Sequence, residues 1–478
     1  MKVLLIQPPH FYGGTSYEPT HFPLGLAYIA SSLVRAGHQV EVLDIWAHQY
    51  VQDEVLYQIS TKCDSDIVGI TALSTQYKYV KWLVENIKRY LDVKIIIGGP
   101  LATHSSQIVL NHTASDICVL GEGDITITEV LSNLSNLKDV EGIAFKDESG
   151  SIISTPPRPY IKDLDTIPFP AWDLFPMDIY LKYCRLKDFN LPSVIVVSSR
   201  GCPYNCTFCS KTFKGARFRS INNVVKEIHQ LKKTYHIEGV QFSDELLLST
   251  RERTYELCDK IKPLNIKWIC QGRCNLVDLL LLKRMKEAGC VAVGYGVESG
   301  SQTILNNMRK GITAEQSKIA IKDTYKAGLT PIIQFMYGHP GETRETLEET
   351  VDFFRTIPYI GRITLSVTTV FPGTTLYKKA LDEGYIKDEE RYLEQLEGWG
   401  STDYSSPLIN FTDFATGEFY KIREEVENKI FRLYTRNYAK MYPFKFFRHY
   451  VVPYMFKHQK TLIGDLVRDG KMILGRQK

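Results

Sequence analysis

Strand-like and helix-like patterns alternate along the first part of the chain, and this alternation constrains the fold more than any other feature. Apolar runs of strand length lie at Lys2–Ile6, Gln39–Leu43, Asp66–Ile70, Lys94–Ile97 and Ile117–Leu120. Amphipathic runs of helix length lie at Leu24–Ala36, near Asp53–Lys62, at Lys78–Tyr90 and at Ile125–Leu131. Strands separated by helices form parallel sheets that helices cover on both faces. We therefore predict an α/β fold in which residues 1–144 form a Rossmann-like, doubly wound domain.

The alternation resumes after a connector, residues 145–192, whose prolines we expect to exclude regular helix or strand pairing, because proline lacks a backbone N–H. Six further strands are predicted at Val194–Val197, Gly239–Phe242, Lys267–Gln271, Ala292–Gly296, Thr330–Met336 and Ile363–Val370. Six strand–helix units are too few for a closed eight-stranded barrel. We therefore expect a partial (β/α)6 TIM barrel over residues 193–395, followed by a helical, aromatic and basic region over residues 396–478.

Three cysteines follow the first barrel strand with the spacing C-x3-C-x2-C, at Cys202, Cys206 and Cys209. Four cysteines ligate every iron of a [4Fe–4S] cluster, whereas three leave one iron open to a small chelating molecule. A structural zinc site would require a fourth ligand at short range, and His229 lies twenty residues beyond Cys209. A disulfide with one spare cysteine is the other alternative.

The composition is that of an ordinary globular protein, with 44% hydrophobic residues, 23% charged residues and a formal net charge of +4. A charge this small does not indicate a nucleic-acid partner. Ten cysteines in 478 residues, with no secretory signal before the first strand, favour a reducing cytoplasm over a disulfide scaffold. No run approaches the 18 apolar residues that indicate a membrane-spanning helix.

The cysteine segment, Ser-Arg-Gly-Cys-Pro-Tyr-Asn-Cys-Thr-Phe-Cys, resembles the cluster loop of the radical SAM (S-adenosylmethionine) superfamily. The resemblance implies a [4Fe–4S] cluster whose open iron binds the amino and carboxylate groups of SAM. It also implies SAM contacts at Tyr204, Phe208, Asp244, Glu245, Gln271, Arg273, Glu298, Ser299, Gly338 and Gly341. Plain packing of the two aromatic residues, and a turn-capping role for Asp244, stay open as alternatives.

The first domain resembles the cobalamin-binding domain found in one branch of the same superfamily. The matching stretches include Gln7-Pro8-Pro9, Gly98-Gly99-Pro100 and Gly121-Glu122-Gly123-Asp124. The resemblance implies cobalamin contacts at Pro8, Leu24, Gly25, Thr71, Leu73, Ser74, Gly98, Gly99, Gly121 and Gly123. The D-x-H-x-x-G motif is missing from the sequence, so the resemblance implies cobalamin without a protein histidine ligand and with its lower face toward residues 71–76. A domain that has lost the cofactor, or that serves only for docking, is the alternative.

The resemblance to this branch implies that SAM is cleaved to a 5′-deoxyadenosyl radical, which abstracts hydrogen from an unactivated substrate carbon. The outcome that we expect is cobalamin-dependent C-methylation. Radical cyclisation or rearrangement without methyl transfer, as in the anaerobic Mg-protoporphyrin ester cyclase relatives, is the alternative. A methylthiotransferase would carry an N-terminal cysteine trio, whereas Cys63, Cys118 and Cys184 are scattered. A non-catalytic iron–sulfur electron carrier would require a fourth cluster ligand, and none is in register.

The resemblance implies a small-molecule substrate, lipid-like or a natural-product intermediate, and an external one-electron reductant of the flavodoxin or ferredoxin type. The tail from Tyr438 to Lys457 interleaves Tyr, Phe, Lys and Arg. Such a composition suits a membrane interface or the entrance for an apolar substrate, and a helical hairpin packed against the barrel is the alternative. We therefore expect a cytoplasmic protein, associated with a membrane surface only under the first interpretation.

Overall fold

The computed structural model describes residues 1–12, 15–16, 18–62, 64–186, 190–357, 361–397 and 408–441. The chain divides into two compact units, one formed by Met1–Gln271 with Thr369–Asp403 and the other by Gly272–Thr368 with Tyr404–Lys478. Residues 442–478 lie outside the described part of the chain, so both interpretations of the tail stay predictions. Within the described ranges, no helix is both long and apolar enough to cross a bilayer.

The elements lie close to their predicted positions. The strands are β1 Lys2–Gln7, β2 Phe11–Tyr12, β3 Thr15–Ser16, β4 Gln39–Asp44, β5 Ile67–Thr71, β6 Lys94–Gly98, β7 Ile117–Val119, β8 Ile143–Lys146, β9 Ile152–Ser154, β10 Arg185–Leu186, β11 Leu191–Val196, β12 Ser199–Arg200, β13 Arg217–Phe218, β14 Gly239–Phe242, β15 Lys267–Gly272, β16 Cys290–Glu298, β17 Thr330–Tyr337 and β18 Arg362–Val367. The helices are α1 Leu24–Arg35, α2 Ile45–His48, α3 Gln52–Ser60, α4 Tyr77–Tyr90, α5 Pro100–His112, α6 Gly123–Ser132, α7 Met177–Tyr183, α8 Ile221–Tyr235, α9 Arg251–Ile261, α10 Leu279–Glu287, α11 Gln302–Asn307, α12 Ala314–Lys326, α13 Arg344–Thr356, α14 Thr375–Asp382, α15 Glu389–Gln395 and α16 Thr416–Met441.

The first sheet has the strand order β4-β1-β5-β6-β7-β8-β9. Its first five strands are parallel to one another. Strand β8 pairs antiparallel with β7, and β9 pairs antiparallel with β8. Residues 3–6 of β1 are buried, as a strand covered by helices on both faces requires. The sheet continues to Ser154, beyond residue 144, because the β8–β9 hairpin adds two strands to its edge.

Helix α5 was not predicted from the sequence. It begins at Pro100, a first-turn position at which the missing N–H of proline costs nothing. Its backbone is non-helical at Ser105, and this interruption weakens the 3.6-residue periodicity on which the prediction of helices depends.

The connector packs against the first domain through aromatic side chains. The Phe22 ring stacks on Trp172 with a centroid distance of 4.4 Å, and the Tyr180 hydroxyl donates to the Asp44 carboxylate at 2.7 Å. The expectation that its prolines exclude regular structure was too strong. Strand β9 forms before the first of these prolines, and helix α7 and strand β10 form between Pro176 and Pro192, because proline restricts only its own φ and the preceding residue.

Strand–helix repeats build the rest of both units. In the first unit, β10, β11, β14 and β15 adjoin in that order, with β10 antiparallel and the others parallel. In the second unit, β16, β17 and β18 are parallel neighbours. A helix separates each parallel strand from the next, as the alternation of patterns predicted.

Candidate active site

A cavity of about 520 Å³ opens at the carboxyl ends of β1, β5, β6 and β7 in the first unit. Ligands of open parallel sheets bind at this edge. The wall includes residues from the loops after these strands and from the start of α1: Gln7, Thr71, Leu73, Gly98, Gly99, Gly121, Gly123, Leu24 and Gly25. It also includes Thr212, Phe213 and Ser243, which follow β12 and β14. Loops of the Rossmann-like domain and of the first barrel strands therefore share one cavity.

Glycine forms much of this wall. A Cβ atom added to Gly25, Gly98 or Gly121 would meet no atom within 4 Å, so space beside the backbone is open to a ligand. At Gly99, φ is +85° and an added Cβ would lie 2.8 Å from the Ala72 carbonyl oxygen. A left-handed backbone and a close approach of two loops both favour glycine there. The wall therefore leaves backbone atoms of these loops accessible to a ligand.

Two histidines, His10 and His21, also line the cavity. Burial, and secondarily the charge of His21, lower the pKa of His10 to about 4. The His10 ring packs on Trp46 with a centroid distance of 4.2 Å. His10 is therefore neutral at physiological pH. Neither histidine belongs to a ligand motif that could be recognised from the spacing of residues in the sequence.

The three predicted ligand cysteines lie in one loop closed by a short ribbon. Strands β12 and β13 pair Ser199 with Phe218 and Arg200 with Arg217. Residues 201–216 between them are called the cysteine loop below. A Cβ added to Gly201 would lie only 2.3 Å from the Gly215 carbonyl oxygen, so the two ends of the loop touch because Gly201 has no side chain.

The cysteine loop is anchored to the segment that follows β18. The Ser210 hydroxyl donates to the Pro372 carbonyl at 3.1 Å, and the Leu376 N–H donates to the Thr207 carbonyl at 3.1 Å. These bonds attach the outer part of the loop to the start of α14. The stretch Phe371–Thr374, which follows β18, therefore helps to hold the cysteine loop in place.

Exposure separates the loop cysteines from the other described cysteines. Cys202 and Cys206 are half-buried and Cys209 is exposed, whereas six are buried: Cys118, Cys184, Cys258, Cys270, Cys274 and Cys290. Burial raises the pKa of Cys118 and of Cys184 to about 12, and only a thiolate ligates a metal. Three accessible thiols in one short loop fit an iron–sulfur cluster. Among the described residues, no group of three His, Cys, Asp or Glu could hold a single ion, but a cluster takes each thiolate on a different iron.

Asp244, at the end of β14, supports the segment that leads into the cysteine loop. Its Oδ1 accepts hydrogen bonds from the Ser198 N–H and hydroxyl, both at 2.8 Å, and from the Ser199 hydroxyl. Its Oδ2 is buried and has no hydrogen-bond partner among the described residues. Burial raises the pKa of Asp244, and the serine hydrogen bonds oppose that shift. These bonds run to the segment before the loop, and not to the turn that the capping alternative requires.

Glu298 ends β16 in the second unit with an unusual backbone. Its φ is +66°, next to a register shift in the pairing with β17. Its carboxylate accepts from Lys310 Nζ at 2.7 Å, and a Cβ on Gly296 would lie 2.2 Å from Glu298 Oε1. The strand end therefore bends so that the carboxylate folds back over Gly296. Neighbouring Ser299 is buried, and its hydroxyl shares a hydrogen bond of 3.3 Å with the Thr350 hydroxyl.

The turn after β17 encloses a buried carboxyl group. Gly338 and Gly341 have φ values of +81° and +85°, and Glu342 Oε2 accepts the Gly338 N–H at 2.6 Å. Burial raises the pKa of Glu342 to about 8, although this hydrogen bond opposes the shift. Glu342 is therefore mostly protonated at neutral pH.

Two known domain families match the chain, the radical SAM superfamily over residues 196–354 and the B12 binding domain over residues 13–131. An uncharacterized methyltransferase of Pyrococcus horikoshii is 36% identical over 397 residues, covering 80% of this chain and 83% of the relative. The anaerobic magnesium-protoporphyrin IX monomethyl ester cyclase of Rubrivivax gelatinosus is 30% identical over 412 residues, covering 82% and 72%. The chain belongs to the radical SAM superfamily.

The fold of this radical SAM enzyme agrees with a solved relative. The radical S-adenosylmethionine methyltransferase TsrM from Kitasatospora setae superposes with a TM-score of 0.66 at 18% identity, covering 80% of this chain and 75% of that one. Such a likeness confirms the predicted Rossmann-like domain, partial barrel and C-terminal helical region. The two matched families also confirm a [4Fe–4S] cluster, SAM and cobalamin as the cofactors.

Eight of the ten residues predicted to contact cobalamin line the cavity: Leu24, Gly25, Thr71, Leu73, Gly98, Gly99, Gly121 and Gly123. The other two, Pro8 and Ser74, are not among the lining residues in the described part of the chain. The Pro8 carbonyl accepts from the side chains of two lining residues, Gln7 at 2.8 Å and Gln76 at 3.3 Å. Leu73 is 39% exposed and presents an apolar side chain to the cavity.

The predicted SAM residues fall in both units of this radical SAM enzyme. In the first unit, Tyr204 and Phe208 are half-buried within the cysteine loop, Asp244 is buried beside it, and Glu245 and Gln271 are exposed. In the second unit, Arg273, Glu298 and Ser299 are buried, and Gly338 and Gly341 form the turn described above. The role of each toward SAM stays a prediction.

Sequence reasoning missed the charged residues beside the cavity. Glu122, Asp124 and Arg200 all line it, and Arg200 donates to both carboxylates at 2.9 and 2.7 Å. The acidic pair stood within a quoted family stretch, and Arg200 stood two residues before Cys202. Nothing in the linear order showed that these two segments meet.

Proposed function

We propose that this radical SAM enzyme transfers a methyl group to a carbon atom of a small-molecule substrate. The observation that carries the proposal is the single cavity lined both by the glycine loops of the Rossmann-like domain and by Thr212 and Phe213 of the cysteine loop. A corrinoid held in this cavity would contact the loop that would hold the cluster. Methyl transfer needs both cofactors close to one substrate, because the reacting atoms must be brought into contact.

Named residues of the chain can hold each cofactor. Cys202, Cys206 and Cys209 would ligate the cluster, and the glycine loops would hold the corrinoid by backbone contact. Asp244 would accept a hydrogen bond from the SAM ammonium group through Oδ2, the oxygen that has no partner in the described chain. When bound, the cluster and SAM supply a substrate-activating radical and cobalamin supplies a transferable methyl group.

The protein's own contribution is position and exclusion of water. The bonds from Ser210 and Leu376 fix the loop, and Asp244 fixes the segment before it. Apolar groups such as Leu73 and Phe213 line part of the cavity and would exclude water from that part. Exclusion of water protects reactive species from side reactions.

The test is anaerobic reconstitution with iron and sulfide, followed by addition of hydroxocobalamin, SAM and excess titanium(III) citrate, which reduces the corrinoid to cob(I)alamin and supplies the electron for each cleavage of SAM. We expect about four irons per chain, a corrinoid spectrum that stays with the protein on gel filtration, and S-adenosylhomocysteine in an amount that matches the bound corrinoid. The variant Cys206→Ala should lose most of the iron and should release no 5′-deoxyadenosine. The matched control Cys258→Ala, which removes a buried thiol, should retain the iron.

Cyclisation without methyl transfer is the second candidate, favoured by the cyclase relative at 30% identity. The two candidates differ in a product that can be measured without the natural substrate. A methyl carrier yields S-adenosylhomocysteine, whereas a plain radical cyclase yields only 5′-deoxyadenosine and methionine. Bound corrinoid with no S-adenosylhomocysteine would therefore replace the first proposal by the second.

The family implies an external one-electron donor and a small-molecule substrate. A flavodoxin or ferredoxin as the donor, a lipid-like or natural-product substrate, and a membrane-surface contact through the tail from Tyr438 are further hypotheses. They follow from the family resemblance and from the tail's composition alone.

A further inference from the structure

An ion-pair network connects the base of the cysteine loop with the glycine loop after β7. Arg200 Nη1 and Nη2 donate to the two Asp124 oxygens at 2.7 and 3.0 Å, and Nη1 also donates to Glu122 Oε1 at 2.9 Å. Arg217 Nη1 donates to both Glu122 oxygens at 3.0 and 2.8 Å. We call these four residues the neck network, because Arg200 and Arg217 are the paired residues that close the cysteine loop.

The ribbon that closes the loop requires these acids. Its two strands contain two residues each, and one of its two pairs places Arg200 opposite Arg217. Like charges directly opposite each other destabilise an antiparallel pair, and so short a ribbon is not stable by itself. Glu122 accepts from both arginines and so converts a repulsive pair into a bridged one.

The network is shielded from solvent. The exposed fractions of the side chains are 3% for Glu122, 7% for Asp124, 13% for Arg200 and 15% for Arg217. Buried ion pairs are screened weakly by salt, and the loss of one partner leaves an uncompensated charge. The four charges balance, so the network is strong only while it is complete.

Both ends of the network adjoin cofactor-binding segments. Glu122 lies between Gly121 and Gly123, which line the cavity, and Asp124 is in the first turn of α6. Arg200 precedes Cys202 by two residues, and Phe213 of the cysteine loop lines the same cavity. We call the glycine loops that line the cavity the corrinoid wall. A displacement of this wall would move the base of the cysteine loop, because the neck network joins the two.

We propose that Glu122 and Asp124 are positioning residues that fix the cysteine loop against the corrinoid wall and thereby set the separation and orientation of the two cofactors. The inference rests on the proposed cofactor assignment. Neither residue needs to touch a reacting atom, because both act through Arg200 and Arg217. An ordinary salt bridge that merely stabilises the fold would not control this geometry.

The experiment compares Glu122→Gln and Asp124→Asn with the wild type and with Glu129→Gln. Glu129 is also on α6 and pairs with Arg158, an ion pair outside the neck network, so Glu129→Gln is the matched control. Each protein is reconstituted with iron and sulfide, loaded with hydroxocobalamin and reduced. Pulsed electron paramagnetic resonance then measures the magnetic dipolar coupling between the reduced cluster and cob(II)alamin.

The wild type and Glu129→Gln should give the same narrow distribution of couplings. Glu122→Gln removes a charge that binds both arginines, so it should at least double the width of the coupling distribution while the iron and corrinoid contents stay unchanged. Asp124→Asn should broaden the distribution less. Widths equal to wild type in both neck variants would overturn the inference, as would equal broadening in Glu129→Gln. If Glu122→Gln does not retain the cluster, Asp124→Asn decides alone. A wild type that binds no corrinoid or no iron would instead contradict the proposed function.

Discussion

Glycine-rich turns follow parallel strands in both units, and the two units use them differently. After β6 and β7 in the first unit, Gly98 and Gly121 border open space, since an added Cβ on either would meet no atom within 4 Å. After β17 in the second unit, Gly338 is covered, since an added Cβ would lie 3.2 Å from the Phe419 ring. The first kind of turn leaves room for a ligand, and the second closes around the chain's own side chains.

The neighbouring carboxylates also have different partners in the two units. Beside Gly121, Glu122 and Asp124 are bound by the arginines of the neck network, which leaves the space next to the glycine open. Beside Gly338, Glu342 folds into the turn and accepts its N–H. A glycine-rich strand end therefore predicts a turn, whereas the side chains packed around it decide whether the turn can face a ligand.

The largest effect that we expect is the loss of corrinoid binding in Gly98→Leu. Gly98 has an ordinary φ and lines the cavity, so leucine fills ligand space without backbone strain. Titration with hydroxocobalamin, followed by visible absorption, should show affinity at least about 100-fold weaker, or about 2.7 kcal/mol.

The control for this prediction is Gly417→Leu in α16. An added Cβ at Gly417 also meets nothing within 4 Å, but this residue is in the second unit and is exposed. Its corrinoid affinity should equal that of the wild type. Unchanged affinity in Gly98→Leu would show that the open turn does not face the corrinoid.

A smaller effect concerns the closed turn and pH. Burial raises the pKa of Glu342 from 4.5 to about 8, so the folded protein retains a proton that the unfolded chain releases. The contribution of Glu342 to stability should therefore fall as pH rises from about 4.5 toward about 8. Glu342→Gln, which still accepts the Gly338 N–H, should remove about 2 to 3 kcal/mol of this fall between about pH 5.5 and 7.5. Denaturant unfolding at several pH values measures it.

Two nearby groups are the same in the wild type and in Glu342→Gln, so their contributions cancel in the difference between the two proteins. The pKa of Tyr337 is raised well above 10, chiefly by burial, and so lies outside the window. Burial lowers the pKa of His339 to about 4, so its contribution to stability rises with pH up to about 6.5 in both proteins. The matched control is Glu345→Gln, because hydrogen bonds lower the pKa of that exposed carboxyl group below the window. Equal pH slopes in the wild type and Glu342→Gln would mean that the turn does not bury a protonated carboxyl group.

The comparison also shows what the sequence could predict. Strand and helix positions followed from periodicity, because buried parallel strands are apolar runs and covering helices are amphipathic. The cysteine loop was found because its three ligands are consecutive in one segment. Helix α5 was missed, since its interruption at Ser105 breaks the periodic pattern.

Contacts between distant segments could not be predicted. The neck network joins residues 76 to 95 positions apart in the chain, and one sequence does not specify such pairs. The same holds for the bond between Asp244 and Ser198, which showed that this acid supports the loop. Resemblance supplied the identity of the residues, and only the structure supplied their partners.

The smallest expected effect tests whether the turn after β17 is closed by Phe419. Two effects should destabilise Gly338→Ala. One is the left-handed backbone, which costs about 1–2 kcal/mol for alanine, and the other is a close contact of the new methyl group with the Phe419 ring. Gly328→Ala in the same unit has a φ of +74° with its nearest atom at 3.8 Å, so it carries the backbone cost alone. In urea unfolding we expect Gly338→Ala to be less stable than Gly328→Ala by about 1 kcal/mol, with wild-type corrinoid affinity in both. Equal losses would mean that Phe419 yields to the new methyl group, and that the turns of the two units differ less than their glycines indicate.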